Sequence, residues 1–164
     1  MLNLQEEFLK IEDSFSRISN IIYQTPVLLS EKINKALNAE ITFKAECLQE
    51  TGSFKLRGAS SAISILSDEE KSRGVVAFSS GNHAQGIAYA AKQLGTSAKI
   101  IMPSDAPRIK IDKTQEYGAE VIFYDRDNDD RENIGSEIAL NEKRKLVKPF
   151  DDLNVIYGQG TAAL

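Results

Sequence analysis

The sequence predicts an α/β fold, a parallel twisted sheet flanked by helices. Short β-branched apolar runs, "ITFKAE" (41–46), "GVVAF" (74–78), "AKIIM" (98–102) and "AEVIFY" (119–124), have the length and composition of buried strands. Helical stretches lie between them near 53–66, 82–94, 107–117 and 130–144. Strand and helix in alternation, with short connections, give parallel strands covered by helices and right-handed crossovers. With 164 residues, 41% of them hydrophobic and 27% charged, the chain holds one domain, or one and part of another.

The elements follow in order. Leu4, Phe8, Ile11, Phe15 and Ile18 recur at spacings of four and three, which marks an amphipathic helix over 4–19. Its ordinary use is packing or subunit contact. Thr25-Pro26 ends that pattern; a strand near 25–29 and a short helix around 30–37 come next. In the helix at 53–66, Ser53 is the expected N-cap, and Ala59, Ala62, Ile63 and Leu66 supply the buried stripe. In the helix at 82–94, Ala84, Ile87, Ala88, Ala91 and Leu94 face the sheet. The acidic run "DRDNDDRE" (125–132) reads as a solvated loop leading into a helix, and "DDLNVIYGQGTAAL" as a strand, a glycine turn and a first helical turn at which the sequence stops. On that reading the sequence is the N-terminal part of a longer protein and a poor enzyme by itself.

Composition narrows the function classes. The formal net charge is −4 with both signs interspersed, so there is no broad basic face for nucleic acid and no polybasic anchor for a membrane. No apolar run approaches membrane-spanning length, and the acidic start "MLNLQEEFLKIED" is unlike a signal peptide. The single cysteine, Cys47, excludes an internal disulfide, and the expected setting is cytoplasmic. One histidine and one cysteine, set apart, argue against a transition-metal site.

Two strand-to-helix loops carry unusual chemistry. In an open parallel sheet such loops gather at the carboxyl ends of the strands, where ligands bind. "TGSFKLRGA" (51–59) places two cations, Lys55 and Arg57, in a first helical turn, where the backbone dipole ordinarily recruits acids. A lysine there is displaced toward its neutral form, and Phe54 and Leu56 bracket it with apolar surface. A neutral amine is a nucleophile able to form a Schiff base. A solvated surface lysine is the bland alternative. "SSGNHAQG" (79–86) offers small residues, hydrogen-bonding side chains and free N–H groups before an alanine-rich helix, a ready anion site with no acid competing for it. Taken alone, such a loop is more often a turn and cap, and His83 a structural hydrogen-bonder. No G-x-G-x-x-G follows a strand, which counts against a dinucleotide.

Together, "QETGSFKLRGA" and "SSGNHAQGIAYAAK" resemble the cofactor-lysine motif and the cofactor and substrate loop of the fold-type II pyridoxal-phosphate enzymes, in the branch of threonine/serine dehydratases and serine racemases. "IIMPSDAPRIKIDKTQEYGAEVIFYDRDNDDRENI" and "FDDLNVIYGQGTAAL" follow the same branch, so the resemblance runs from about Thr25 to the last residue. The sulfhydrylase relatives differ after the lysine and after the asparagine. Cys47 and Tyr157 are minor departures from the pattern.

The resemblance implies pyridoxal 5'-phosphate as cofactor, bound by a Schiff base to Lys55, with Phe54 near it and Asn82 on its ring hydroxyl. It implies that Ser79, Ser80, Gly81, Asn82 and His83 hold the substrate α-carboxylate. Ser80 matches the residue that acts as acid or base on the face opposite the lysine in racemases. Residues 45–149 would form the family's smaller, Rossmann-like α/β domain. Residues 1–44 and 150–164 would belong to the larger one. The family's glycine-rich phosphate loop, pyridine-nitrogen partner and divalent-cation ligands would lie beyond Leu164, and no metal ligand falls within the sequence given. The implied activity is dehydration of threonine or serine to a 2-oxo acid and ammonia, by a homo-oligomer acting on a small hydroxy amino acid. A serine racemase or a hydroxyaspartate dehydratase would use the same residues. A non-catalytic Rossmann-like binding module is the alternative from another class.

Overall fold

The computed structural model describes residues 3–164. In chain order they form α1 (Leu4–Ile18), β1 (Val27–Leu29), α2 (Glu31–Leu37), β2 (Thr42–Lys44), α3 (Lys55–Ser64), α4 (Asp68–Arg73), β3 (Val75–Phe78), α5 (Asn82–Gln93), β4 (Ala98–Pro103), α6 (Arg108–Glu116), β5 (Glu120–Tyr124), α7 (Arg131–Asn141), β6 (Lys145–Leu146) and α8 (Leu153–Gly160). Short 3-10 turns occupy Glu46–Leu48 and Thr161–Ala163.

Four strands make the predicted parallel sheet, in the order β5-β4-β3-β6. Side chains alternate across it, because successive residues of a strand point to opposite faces. Val75, Ala77, Ile100 and Met102 lie in a core with Leu56, Ile63, Ala84, Ile87 and Ile111 from α3, α5 and α6. Val76, Phe78 and Ile101 lie in a second, smaller core with Ile134 and Ile138 of α7. Full burial of such side chains contributes about 1.5–3 kcal/mol each, and β3 is buried along its whole length. At the amino ends of the strands, Lys99 pairs with Glu120 and Glu142, and Arg144 with Glu142, which ties β4, β5 and the approach to β6 together.

Three expectations need correction. "ITFKAE" is not a buried strand of the parallel sheet. Its centre, β2, pairs antiparallel with β1 in a separate two-stranded ribbon, and Phe43, Val27, Leu28 and Leu29 remain exposed. The C-terminal stretch is not a strand followed by a glycine turn. Asp152 accepts hydrogen bonds from Asn154 N and Val155 N and starts helix α8, whose last turns contain Gly158 and Gly160. Gly158 is there for contact: a Cβ on it would come within 2.6 Å of the Arg57 carbonyl oxygen and the Gly58 Cα. The missing side chain lets α8 lie directly on α3, and that packing outweighs the strand preference of "VIY". Finally, Ser53 is not the N-cap of α3. Phe54 occupies that position in helical geometry, and Ser53 Oγ receives the Lys55 N–H at a long 3.4 Å.

α1 forms as its periodicity requires, but only its second half is covered. Ile18 is buried and Phe15 partly so, whereas Leu4 and Phe8 stay exposed. Ser14 and Arg17 hydrogen-bond Ser61 and Ser64 of α3. α3 is thus enclosed by α1, α5 and α8 and is buried on all sides from Leu56 to Ile63.

Candidate active site

Helices α3, α5 and α6 bring their first turns together beside the carboxyl ends of β3 and β4. Gly86 sets the distance between the first two: a Cβ there would stand 3.1 Å from the Lys55 carbonyl oxygen and 3.3 Å from Leu56 N. The second glycine of "GNHAQG" therefore lets the start of α5 approach the start of α3. From α6, Lys110 Nζ donates to Asn82 Oδ1 at 2.7 Å and to Gln85 Oε1 at 3.3 Å. None of these three helices has a side-chain N-cap bond or an acid in its first turn. At α5 and α6 the first N–H groups and positive dipole ends remain available to an anion, while at α3 the Lys55 N–H meets Ser53 Oγ.

Lys55 is half-buried at the start of α3. Its Nζ donates to the Pro149 carbonyl oxygen at 3.2 Å and lies 5.3 Å from the centre of the Phe54 ring. The ammonium is met by a backbone carbonyl and an aromatic face, not by a carboxylate. Phe54 is 43% exposed, so the ring beside the amine has a free surface, while Leu56 points into the core. The flanks predicted to shield the lysine therefore shield it on one side.

The loop between β3 and α5 supplies the remaining residues. Ser79 continues the sheet through its N–H to Ile101 O, and its Oγ accepts the Gly81 N–H at 3.2 Å, folding the loop back toward α5. Ser79, Ser80 and Gly81 are half-buried and Asn82 is exposed. A Cβ on Gly81 would meet nothing within 4 Å, so there is open space beside the loop. His83 is enclosed. Its Nε2 lies 3.3 Å from the Val147 carbonyl oxygen, and Nδ1 is buried with no hydrogen-bond partner. Burial pushes the imidazole down to about 4, against an upward pull from the Val147 carbonyl, and nearby Lys55 lowers it further. His83 is neutral at pH 7.

Sequence reasoning missed several contributors. The strip after β6 receives both Lys55, through Pro149, and His83, through Val147. A two-residue strand leaves no periodic signal. Lys110 carries no motif and is recognisable only from its contact with Asn82. Arg57, the second cation of the first turn, points away from the site and pairs with Glu46.

These groups fit pyridoxal phosphate. An amine with no carboxylate partner suits an aldehyde, the half-exposed ring of Phe54 suits a flat heterocycle, and Asn82 offers an amide to a ring hydroxyl. Uncapped helix starts beside open space suit an anionic ligand.

The chain is similar to L-threo-3-hydroxyaspartate ammonia-lyase of Saccharomyces cerevisiae, 50% identical over 92% of this chain and 46% of that protein. It is similar to serine racemase of Schizosaccharomyces pombe, 48% identical over 93% of this chain and 47% of that one. With the catabolic L-threonine dehydratase of Escherichia coli it shares 42% identity over 94% of this chain and 47% of that protein. The crystal structure of serine racemase from Dictyostelium discoideum superposes with a TM-score of 0.89 at 42% identity, covering 94% of this chain and 50% of that one. The chain spans about half the length of the curated relatives it matches. Residues 18–164 match the family described as "Pyridoxal-phosphate dependent enzyme", and with the fold, the amine and the open helix starts in agreement, the chain belongs to the pyridoxal-phosphate-dependent enzymes of fold type II.

Proposed function

We propose that the full-length protein is an ammonia-lyase that converts threonine or serine to a 2-oxo acid and ammonia, and that Lys55 is its cofactor lysine. One observation supports this above the others: the amine of Lys55, free of any carboxylate, is held by the Pro149 carbonyl, two residues from the Val147 carbonyl that meets His83 in the uncapped first turn of α5. On this reading Lys55 holds the cofactor covalently, Phe54 packs near it and Asn82 hydrogen-bonds its ring hydroxyl. Ser79, Ser80, Gly81, Asn82 and His83, with the N–H groups of the α5 start, receive the substrate α-carboxylate. Because His83 is enclosed and bonded to Val147, its part is to fix the loop from inside.

Pyridoxal phosphate supplies an electron sink at the carbon that bears the amino group. Lys55 Nζ, which would hold the cofactor, would also be the base that takes the α-proton. The β-hydroxyl departs as water, and one water returns on hydrolysis, so the amino acid is divided into a 2-oxo acid and ammonia. Residues 45–149 serve as the smaller domain, since β3 to β6 lie wholly within that span. Residues 1–44 and 150–164 go with the larger one, and the working form is a homo-oligomer.

Serine racemisation is the second reading, favoured by Ser80, whose half-buried hydroxyl in the loop before α5 can carry a proton to or from Cα. Hydroxyaspartate dehydration would use the same residues. Incubating the full-length protein with L-threonine, L-serine and L-threo-3-hydroxyaspartate, followed by 2-oxo acid and chiral amino-acid analysis, separates the three. Production of 2-oxobutanoate from L-threonine is the expected result. D-serine without 2-oxo acid, or turnover of hydroxyaspartate alone, would replace the proposal.

A further inference from the structure

Arg57 is the largest fully buried side chain among the described residues, and no step of the reaction uses its charge. Its guanidinium forms a two-pronged pair with Glu46, Nε to Oε2 at 2.8 Å and Nη2 to Oε1 at 2.7 Å. Nη1 reaches Thr161 Oγ1 at 3.3 Å and Nη2 reaches Tyr23 O at 3.5 Å. Glu46 Oε1 also accepts the Thr25 hydroxyl at 2.6 Å. Burial acts to raise the Glu46 carboxyl, but hydrogen bonds from Arg57 and Thr25 outweigh it and hold the group below its ordinary value. One side chain thus gathers the turn after α1, the 3-10 turn at 46–48 and the 3-10 turn after α8 onto the first turn of α3.

Stability alone does not account for this arrangement, because a buried ion pair is often replaceable by well-packed apolar residues at no loss. A planar fork gripping a carboxylate adds direction, since both bonds form in one orientation only. Arg57 and Lys55 occupy the same turn, so whatever fixes the turn's rotation and depth also aims the lysine. On the same side, Gly58 N donates to Gln159 Oε1 at 3.1 Å, which holds the turn from α8.

We propose that the Arg57–Glu46 pair is a positioning device for Lys55, holding the start of α3 so that Nζ is presented to the start of α5. This rests on the reading of Lys55 as the cofactor lysine. The test uses full-length apo-protein and added pyridoxal phosphate, trapped with borohydride at timed intervals and mapped by peptide. In the trapped reaction Nζ bonds to the aldehyde carbon, water leaves, and borohydride delivers hydride to that carbon. The double variant Arg57→Met/Glu46→Leu should stay folded by near-ultraviolet circular dichroism, yet trap cofactor at Lys55 roughly ten- to a hundred-fold more slowly, with label spreading to other lysines. Arg57→Lys keeps the charge without the fork and should move in the same direction. Glu46→Gln, which keeps an acceptor for Thr25, covers the case in which the double variant does not fold and should also slow trapping. Trapping at the parent rate in any folded variant of the three overturns the proposal. Parent protein labelled on a lysine other than Lys55 removes the cofactor-lysine reading, and this proposal with it.

Discussion

The helices of this protein start in two different ways. α1, α2, α4, α7 and α8 open on Asn3, Ser30, Ser67, Asp130 and Asp152, each of which accepts a first-turn N–H. At α3, α5 and α6 the N-cap residues Phe54, Gly81 and Pro107 make no such bond, a long contact from Ser53 Oγ to Lys55 N being all that α3 has, and no acid sits in their first turns. A side-chain cap is worth about 1 kcal/mol, so each bare start gives up stability that its neighbours keep. The three bare starts are the ones that converge on Lys55 and Asn82. Local rules are broken where the backbone has another use, which is the expected pattern for a binding site.

The largest effect should come from the bare start of α3. Lys55→Ala in the full-length protein should reduce turnover to background. Lys55→Arg should do the same, because a guanidinium stays protonated and forms no Schiff base. Activity surviving in either variant, measured as 2-oxo acid release, would break the link between bare starts and chemistry.

His83, in the first turn of α5, ranks next. Its folded value of about 4 lies below the ordinary 6.5. The unfolded chain therefore takes up the proton first as pH falls. Stability is complete above pH 6.5, declines between 6.5 and 4, and levels off below that, a loss of roughly 3 kcal/mol. Urea unfolding of the parent and of His83→Gln at pH 7, 5.5 and 4.5 isolates this share. Parallel pH profiles for the two proteins would place the imidazole outside the core.

Asn82 and Ser80 sharpen the comparison within one loop. Asn82→Ala should weaken cofactor retention about ten- to a hundred-fold, because a hydrogen bond to a charged group worth roughly 1.5–3 kcal/mol goes unmade. Ser80→Ala should retain cofactor and affect substrate binding or racemisation. Equal cofactor loss from both, by equilibrium dialysis, would contradict the division. At a capped start the effect should be smallest. Asp130→Ala at α7 should cost about 1 kcal/mol of unfolding free energy and leave turnover per folded molecule unchanged.

Much of this was legible in the sequence. β3, β4 and β5 are short β-branched runs, and the helices between them announce themselves by periodicity. The candidate residues stand out in the sequence because Lys55 breaks the charge rule for helix starts and the loop at 79–86 lacks acids. What stayed hidden depends on partners distant in the chain. β6 is two residues long and exists only through its pairing with β3. α8 contains β-branched residues and two glycines, and is a helix because Gly158 fits against Arg57 and Gly58. β2 has the composition of a buried strand but pairs with β1 at the surface. α4 carries a sequence signal of its own, since Ser67 and Glu70 form a reciprocal capping box. The role of Arg57 could not be seen at all, since Tyr23, Glu46 and Thr161 meet it only in the folded chain.

The central claim is that Lys55, presented by an uncapped helix start, is the lysine that carries the cofactor. Borohydride reduction of the full-length holo-protein, followed by peptide mapping, tests it most directly. The account predicts a single reduced pyridoxyl group on the peptide containing Lys55. The same group found on Lys44, Lys110 or any other lysine would contradict it.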